Sequence, residues 1–248
     1  MKILISGYLG HMGSILASMV KDGVRGALLA GGVDKTAMET DRPLCVKDFA
    51  DAPRDIDCII DFSHHSLTAD LLTFATEKKL PLVLCTTGQT EEEMSLIHTA
   101  AKEIPIFFSA NMSVGIALLA EVAKQVAYAM PDAEIEIVEK HHDRKLDAPS
   151  GTALLLADAI KNVRPSAYAV TGRSGHGKRT PEEIGIHAIR MGNIVGEHEI
   201  MIGTPAETIT LKHEAHSRAL FAEGALAAAA YLVRQPAGLY NMQTMLSK

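Results

Sequence analysis

The stretch Glu139-Lys140-His141-His142-Asp143-Arg144-Lys145-Leu146-Asp147-Ala148-Pro149-Ser150-Gly151-Thr152 concentrates groups that can do chemistry. An imidazole titrates at about 6.5 when unperturbed, so His141 can deliver a proton near neutral pH. Lys145 adds a lasting positive charge four residues on, and desolvation would make it a second proton donor. Pro149 and Ser150 read as a helix start, with Ser150 a natural N-cap. The first N–H groups of a helix lack intrahelical partners and suit an anion, so Gly151 and Thr152 can take a carboxylate. Gly151 has no side chain to block its approach. Together these groups suit a small anionic substrate that must be protonated. Adjacent histidines on a strand point to opposite faces, and no third ligand stands at metal spacing, so no metal site is expected. Glu139 and Asp147 read as structural residues that orient the loop.

A second set of residues points to a nucleotide. Gly7-Tyr8-Leu9-Gly10-His11-Met12-Gly13 follows the first apolar run and opens a helical pattern. Its glycines form a GxxGxxG variant of the dinucleotide fingerprint. Gly7 would permit a tight turn, Gly10 close approach of backbone to a pyrophosphate, and Gly13 packing of helix on strand, with the helix N-terminus facing the phosphates. Asp34 ends the second apolar run, where a carboxylate would bind ribose hydroxyls. Lys35 could pair with a 2′-phosphate that Asp34 would repel, so the choice between NADH and NADPH stays open. Thr86-Thr87-Gly88 and Ser109-Ala110-Asn111-Met112 end two further runs, at the carboxyl ends where parallel sheets bind ligands.

The surrounding pattern supplies elements to position both sets. Strands are expected at Ile3–Ser6, Gly26–Val33, Cys58–Phe62, Leu82–Cys85 and Ile106–Phe108, and helices at Met12–Asp22, Ser66–Lys79 and Glu91–Glu103. This alternation predicts a parallel sheet with helices on both faces. Beyond Ser113 the texture changes. Helices are expected at Val114–Tyr128 and Gly151–Asn162. Strands are expected at Ala133–Glu139, Ala167–Thr171, His187–Arg190, Gly196–Ile202 and Glu207–Glu214, and a tail helix at Arg218–Val233. Strands without intervening helices predict an open mixed sheet. The fold class is therefore α/β: a Rossmann-like dinucleotide-binding domain plus an α+β substrate domain. The expected boundaries are 1–112 with 218–248, and 113–217. Among remaining polar residues, His187, His198, His213 and His216 read as ordinary positions of the second sheet. Arg218 could reach a substrate carboxylate, and Arg173 and Lys178 in the glycine-rich 171–181 loop could form a lid or subunit contact.

Composition narrows the class. The 248 residues are 47% hydrophobic and 22% charged, with a net charge of −6, which suits a globular enzyme and disfavours nucleic acid. Three cysteines without CxxC spacing argue against a disulfide framework and fit a reducing compartment. The N-terminal Met-Lys-Ile-Leu-Ile-Ser-Gly reads as a strand rather than a signal peptide, and no apolar run is long enough for a membrane span, so a cytoplasmic protein is expected.

The whole chain resembles the dihydrodipicolinate reductase family. The resemblance rests on Glu139-x-His141-His142-x-x-Lys145-x-Asp147-Ala148-Pro149-Ser150-Gly151-Thr152, the N-terminal glycines with Met12, Thr86-Thr87-Gly88, Ala110-Asn111-x-Ser113-x-Gly115 and Ile194-Val195-Gly196-Glu197-His198. It implies reduction of a small cyclic dicarboxylate by NADH or NADPH in diaminopimelate and lysine synthesis, by a homotetramer. By the same resemblance His141 is the proton donor, with Lys145 a second donor. His142, Lys145, Ser150, Gly151 and Thr152 face the substrate. Gly7–Gly13, Asp34, Cys85–Thr87 and Ser109–Met112 hold the cofactor. One departure is His11, where the family often has arginine or lysine near the adenosine phosphate, which weakens the case for strong NADPH preference. The other reading is a different NAD(P)-dependent dehydrogenase of a small carboxylic acid, which would not need the Pro-Ser-Gly-Thr cradle.

Overall fold

The computed structural model describes residues 1–247. Two compact units emerge: Met1–Ser113 together with the segment from Ala219, and Val114–Arg218.

In the first unit, short apolar strands alternate with helices. The strands are β1 (Lys2–Ser6), β2 (Leu28–Val33), β3 (Cys45–Val46), β4 (Cys58–Asp61), β5 (Leu82–Leu84) and β6 (Pro105–Phe108). Between them run α1 (His11–Lys21), α2 (Thr68–Lys78) and α3 (Glu91–Ala100). The central strands are buried along their whole length, as Cys58-Ile59-Ile60-Asp61 is, which is the signature of a sheet covered on both faces. Every pairing is parallel, and β12 (Gly238–Tyr240) completes the order β12-β6-β5-β4-β1-β2-β3. Thr90 starts α3 with a reciprocal cap: its hydroxyl takes the Glu93 N–H while the Glu93 carboxylate takes that of Thr90.

The second unit holds α4 (Val114–Ala129), β7 (Glu134–His141), α5 (Gly151–Lys161), β8 (Tyr168–Thr171), β9 (Glu183–Arg190), β10 (Gly196–Gly203) and β11 (Thr208–Ala215). Its sheet runs β11-β10-β7-β9-β8, with β10 antiparallel to both neighbours and β7, β9 and β8 parallel, so the sheet is mixed. Alternation along β7 and β10 turns Ile135, Ile137, Ile200 and Ile202 inward, where they form one core with α4 and α5. The opposite registers, from Glu136 to Lys140 and from Glu197 to Met201, are only part-buried.

The larger differences from the sequence reading are two strand starts and three short elements. β2 begins at Leu28 rather than Gly26, because Arg25 and Gly26 take positive φ values of 54° and 68° in a turn. β9 begins at Glu183, four residues before the expected His187. The two-residue β3 is too short to leave a periodic signal, and the C-terminal β12 and α7 (Met242–Leu246) follow the tail helix α6 (Ala219–Leu232). The alanine-rich α6 packs closely: a Cβ on Gly224 would lie 1.7 Å from the Met112 carbonyl oxygen.

Candidate active site

In the first unit the strand ends build a cradle. Gly7 turns the chain at φ 78°, with its N–H on the Val33 carbonyl at 2.9 Å. A Cβ there would sit 2.7 Å from the Phe62 carbonyl oxygen, and one on Gly13 would sit 2.0 Å from that of Gly7. Gly7 is thus needed for the turn, and Gly13 for seating α1 against it. Gly10 caps α1, whose first turn carries no acidic residue, so its positive dipole end is uncompensated. Asp34 follows β2 and is oriented from both sides. Its Oδ2 accepts the Leu9 N–H at 3.0 Å, and its Oδ1 accepts the Thr36 N–H and hydroxyl at 2.9 and 2.7 Å. These features fit a dinucleotide: a side-chain-free phosphate loop at a helix start, with a fixed carboxylate at the end of the next strand.

Of the residues expected to hold a cofactor here, Leu9, Gly10 and His11 are exposed, while Met12 is half-buried and Lys35 lies exposed beside Asp34. Tyr8 differs. Its ring is buried where a Cβ on Gly32 would lie 2.3 Å from Tyr8 Cγ, so only its backbone faces the loop. Residues 62–65 and 85–87 line a pocket of about 240 Å³ at the adjoining strand ends. Two of these residues, Ser63 and Thr86, donate their hydroxyls to the buried Asp61 at 2.6 and 2.5 Å. Burial pushes the Asp61 carboxyl up, against the hydrogen bonds from Ser6, Ser63 and Thr86. Asp61 was not singled out in the sequence, since it reads as the end of an apolar run. Cys85 is buried with its thiol pushed well up by burial, so it packs rather than reacts. On the neighbouring loop the Ser109 hydroxyl donates to the Asn111 carbonyl, Asn111 Oδ1 accepts the Ser113 N–H, and Met112 is buried, with Ala110 exposed between them.

In the second unit the inward register of the sheet turns polar at one end. Along β7 it reads Ile135, Ile137, Glu139, His141, and along β9 Ile184, Ile186, Ala188, Arg190. The antiparallel β10 reads the same way in reverse, Gly196, His198, Ile200, Ile202. Register places Glu139 between Ala188 and His198, and His141 beside Arg190. Polar groups from three strands therefore meet over the N-terminus of α5.

The centre of this cluster is Glu139, which is 0% exposed. Its Oε2 accepts from His141 Nδ1 at 2.6 Å and Arg190 at 2.8 Å; its Oε1 accepts from Arg190 at 2.7 Å and the Ser150 N–H at 3.0 Å. Burial opposes ionisation of Glu139, but the bonds from Arg190, His141 and Ser150 outweigh it and hold the carboxyl below its usual range. His141, 9% exposed, is pushed down by burial, with the Glu139 carboxylate pulling back and the charges of Lys145 and Arg190 pushing further down. Its Nε2 faces Gly196, where a Cβ would lie 3.1 Å away.

Ser150 caps α5, its Oγ accepting the Ala153 N–H at 3.2 Å and pairing with His198 Nε2 at 3.0 Å. The His198 ring meets that of His141 edge to face at 5.2 Å, and burial holds its pKa down at about 4, so it is neutral. Nothing lies within 4 Å of where a Gly151 Cβ would be, which leaves the helix start open. Lys145 Nζ pairs with Asp147 at 2.8 Å, and Arg190 donates to the Asp147 carbonyl at 2.6 Å. His142 anchors its N–H on the Ile194 carbonyl at 2.8 Å, and its buried Nδ1 has no protein partner among the described residues.

The structure thus brings His141, Ser150, Gly151 and Thr152 together, with Lys145 tied in through Asp147 and Arg190. Arg218 is exposed at the end of the unit and makes no ion pair among the described residues. Of the two cations singled out in the 171–181 loop, Arg173 pairs with the Glu183 carboxylate and Lys178 is exposed, while the neighbouring Arg179 donates to the Glu183 carbonyl at 2.7 Å. Two cluster members were missed in sequence. His198 read as an ordinary sheet position, and Arg190 was not singled out. Both lie on registers that carry two buried isoleucines, Ile184 and Ile186 on β9 and Ile200 and Ile202 on β10, and that is the signal that marks them.

A family described as "Dihydrodipicolinate reductase, N-terminus" matches residues 1–112, and one described as "Dihydrodipicolinate reductase, C-terminus" matches residues 115–246. The 4-hydroxy-tetrahydrodipicolinate reductase of Clostridium tetani is 47% identical over 249 residues, spanning 99% of this chain and 97% of its own. That of Caldanaerobacter subterraneus subsp. tengcongensis is 44% identical over 249 residues, spanning 100% and 98%. Among solved structures, the dipicolinate-bound dihydrodipicolinate reductase of Paenisporosarcina sp. TG-14 matches with a TM-score of 0.79 at 23% identity over 97% of each chain. A diaminopimelate dehydrogenase of C. glutamicum matches at 0.60 and 13% identity over 98% and 93%. At these identities the two structures bear on fold alone.

Proposed function

The chain belongs to the dihydrodipicolinate reductase family, and on that premise we propose that its glycine loop holds the reductant while the polar end of its second sheet holds and protonates the substrate. The enzyme reduces 4-hydroxy-tetrahydrodipicolinate to tetrahydrodipicolinate with NADH or NADPH, a step of diaminopimelate and lysine synthesis. The nicotinamide cofactor, when bound, supplies the hydride. The loop 7–13 and Asp34 hold its pyrophosphate and ribose, and the strand ends at 85–87 and 109–112 hold its nicotinamide half.

The substrate is a small dicarboxylate. Gly151 and Thr152 present N–H groups at the start of α5 to one carboxylate, where the helix dipole favours negative charge. Lys145 and His142 hold the remaining charge. His141 donates a proton from Nε2, because its Nδ1 is committed to Glu139. Burial, helped by the charges of Lys145 and Arg190, keeps His141 short of protons, and two substrate carboxylates close by would raise its pKa. The donor is thus loaded by the substrate it serves. Lys145 is a second donor at the same end of the site.

The single observation that carries this reading is the convergence of His141, Lys145 and the start of α5 through the buried Glu139 and its partners. A homotetramer in the cytoplasm completes the proposal. Three free, buried cysteines suit a reducing compartment. The sheet face turned away from α4 and α5 carries Val138, Ile189 and Met201 among charged residues, which suits association of like subunits. The test is a coupled assay in which the upstream condensation product is supplied and loss of NADH or NADPH absorbance is followed. Turnover with at least one cofactor is expected, and none with either would overturn the reading.

A further inference from the structure

We infer that Glu139 and Arg190 are positioning residues that fix the proton of His141 on Nδ1 and lock the proton donor to the carboxylate cradle of α5. This rests on His141 being the proton donor. Glu139 is fully buried and every bond it accepts is used. Arg190 grips both its oxygens, His141 Nδ1 lies at 2.6 Å and the Ser150 N–H at 3.0 Å. A carboxylate is acceptor-only, so the hydrogen between it and Nδ1 stays on the imidazole and Nε2 becomes the nitrogen that gains and gives the working proton. Arg190 keeps the carboxylate ionised, so Glu139 does not take that hydrogen for itself. Because Ser150 caps α5, the same carboxylate sets the distance between the donor and the helix start. Arg190 also holds the Asp147 carbonyl, and the Asp147 carboxylate holds Lys145, so one guanidinium ties together His141, Lys145 and the start of α5.

The arrangement makes a specific prediction for Glu139→Gln. Arg190 donates to both oxygen positions, but Oε1 also faces the Ser150 N–H, which can only donate, whereas His141 at Oε2 can shift its hydrogen to the other ring nitrogen, so the amide oxygen takes Oε1. The amide NH2 then occupies the Oε2 position and donates to Nδ1, which forces the hydrogen onto Nε2. A neutral ring of that tautomer has no acidic proton near neutral pH, and protonating it now lacks a carboxylate partner. The charged groups facing His141 are then Lys145 from the loop and Arg190 from β9, both opposing its protonation, while His198 from β10 stays neutral.

The experiment compares the parent with Glu139→Gln, Arg190→Lys and His141→Gln as full chains, measuring kcat, KM, NADH affinity and the pH dependence of kcat. The tautomer of His141 is read from imidazole ¹⁵N shifts. Glu139→Gln is expected to lower kcat about 100-fold or more with KM little changed. It should also move the alkaline fall of kcat to lower pH by about one unit, since an acid whose pKa drops loses its proton sooner as pH rises. The ¹⁵N signals should switch from the Nδ1–H to the Nε2–H form. Arg190→Lys keeps the charge but loses the fork, and should lower kcat at least about fivefold without weakening NADH binding. If Glu139→Gln does not fold, Arg190→Lys decides alone. Parent-like kcat and pH dependence in the folded variants, or an unchanged His141 tautomer in Glu139→Gln, overturns the inference. A fully active His141→Gln would instead overturn the proton-donor reading beneath it.

Discussion

Gly196→Ala tests the site at its tightest point. The added methyl carbon would stand 3.1 Å from His141 Nε2 and 3.4 Å from Cδ2, against an ordinary contact of 3.4–4 Å. The ring cannot simply back away. Its other side is fixed at 2.6 Å to Glu139, which is itself clamped by Arg190. The imidazole must therefore tilt by a few tenths of an ångström, and the methyl covers the nitrogen proposed to give the proton. Misplacement of a reacting group by about 1 Å costs on the order of 100-fold in rate, so a shift of this size should lower kcat about tenfold. Overpacking costs about 1–3 kcal/mol, part of which alanine recovers by stiffening the strand. The assay is steady-state turnover alongside NADH affinity and thermal unfolding. Affinity should hold while kcat falls. A kcat within twofold of the parent would refute the placement of Nε2 against Gly196.

Two further outcomes follow from the charges. His198 has a folded pKa of about 4 against an ordinary 6.5, so between those values the unfolded chain binds the extra proton. Stability should therefore fall as pH drops from about 6.5 towards 4, by about 3 kcal/mol from this residue; denaturant melts of parent and His198→Asn across that range should show a flatter acid limb in the variant, and parallel curves would contradict it. Asp34→Ala removes the negative charge and the acceptor of the Leu9 N–H, so kcat/KM with NADPH should rise relative to NADH by about tenfold, the worth of one charge-assisted hydrogen bond; an unchanged ratio would remove Asp34 from cofactor selection.

Sequence disclosed the strongly periodic features. The apolar runs gave the parallel sheet, and the glycines at 7, 10 and 13 gave the turn that seats α1. Ser150 was legible as a cap because a cap is a local event. What stayed hidden depends on contacts between distant strands. Glu139 read as a loop-orienting residue, yet its role as hub follows only from the register that sets it between Ala188 and His198. Arg190 lies 51 residues from Glu139 and carries no local signature. His198 reads as an ordinary position of the second sheet, since its burial depends on strand register rather than on its neighbours in sequence. The useful rule is to follow the inward register: a polar residue in line with Ile200 and Ile202 is buried, and a buried polar group needs partners. Tyr8 is the opposite case, a residue in the loop motif whose ring fills the space left by Gly32.

The central claim is that His141 gives the proton at the end of the second sheet while the first unit holds the cofactor. The most direct test is single-turnover reduction by His141→Gln with NADH affinity measured on the same sample. The account predicts a rate lower by about 100- to 10,000-fold, the usual worth of a general acid, at unchanged affinity. A variant that binds NADH and reduces the substrate at the parent rate would contradict it.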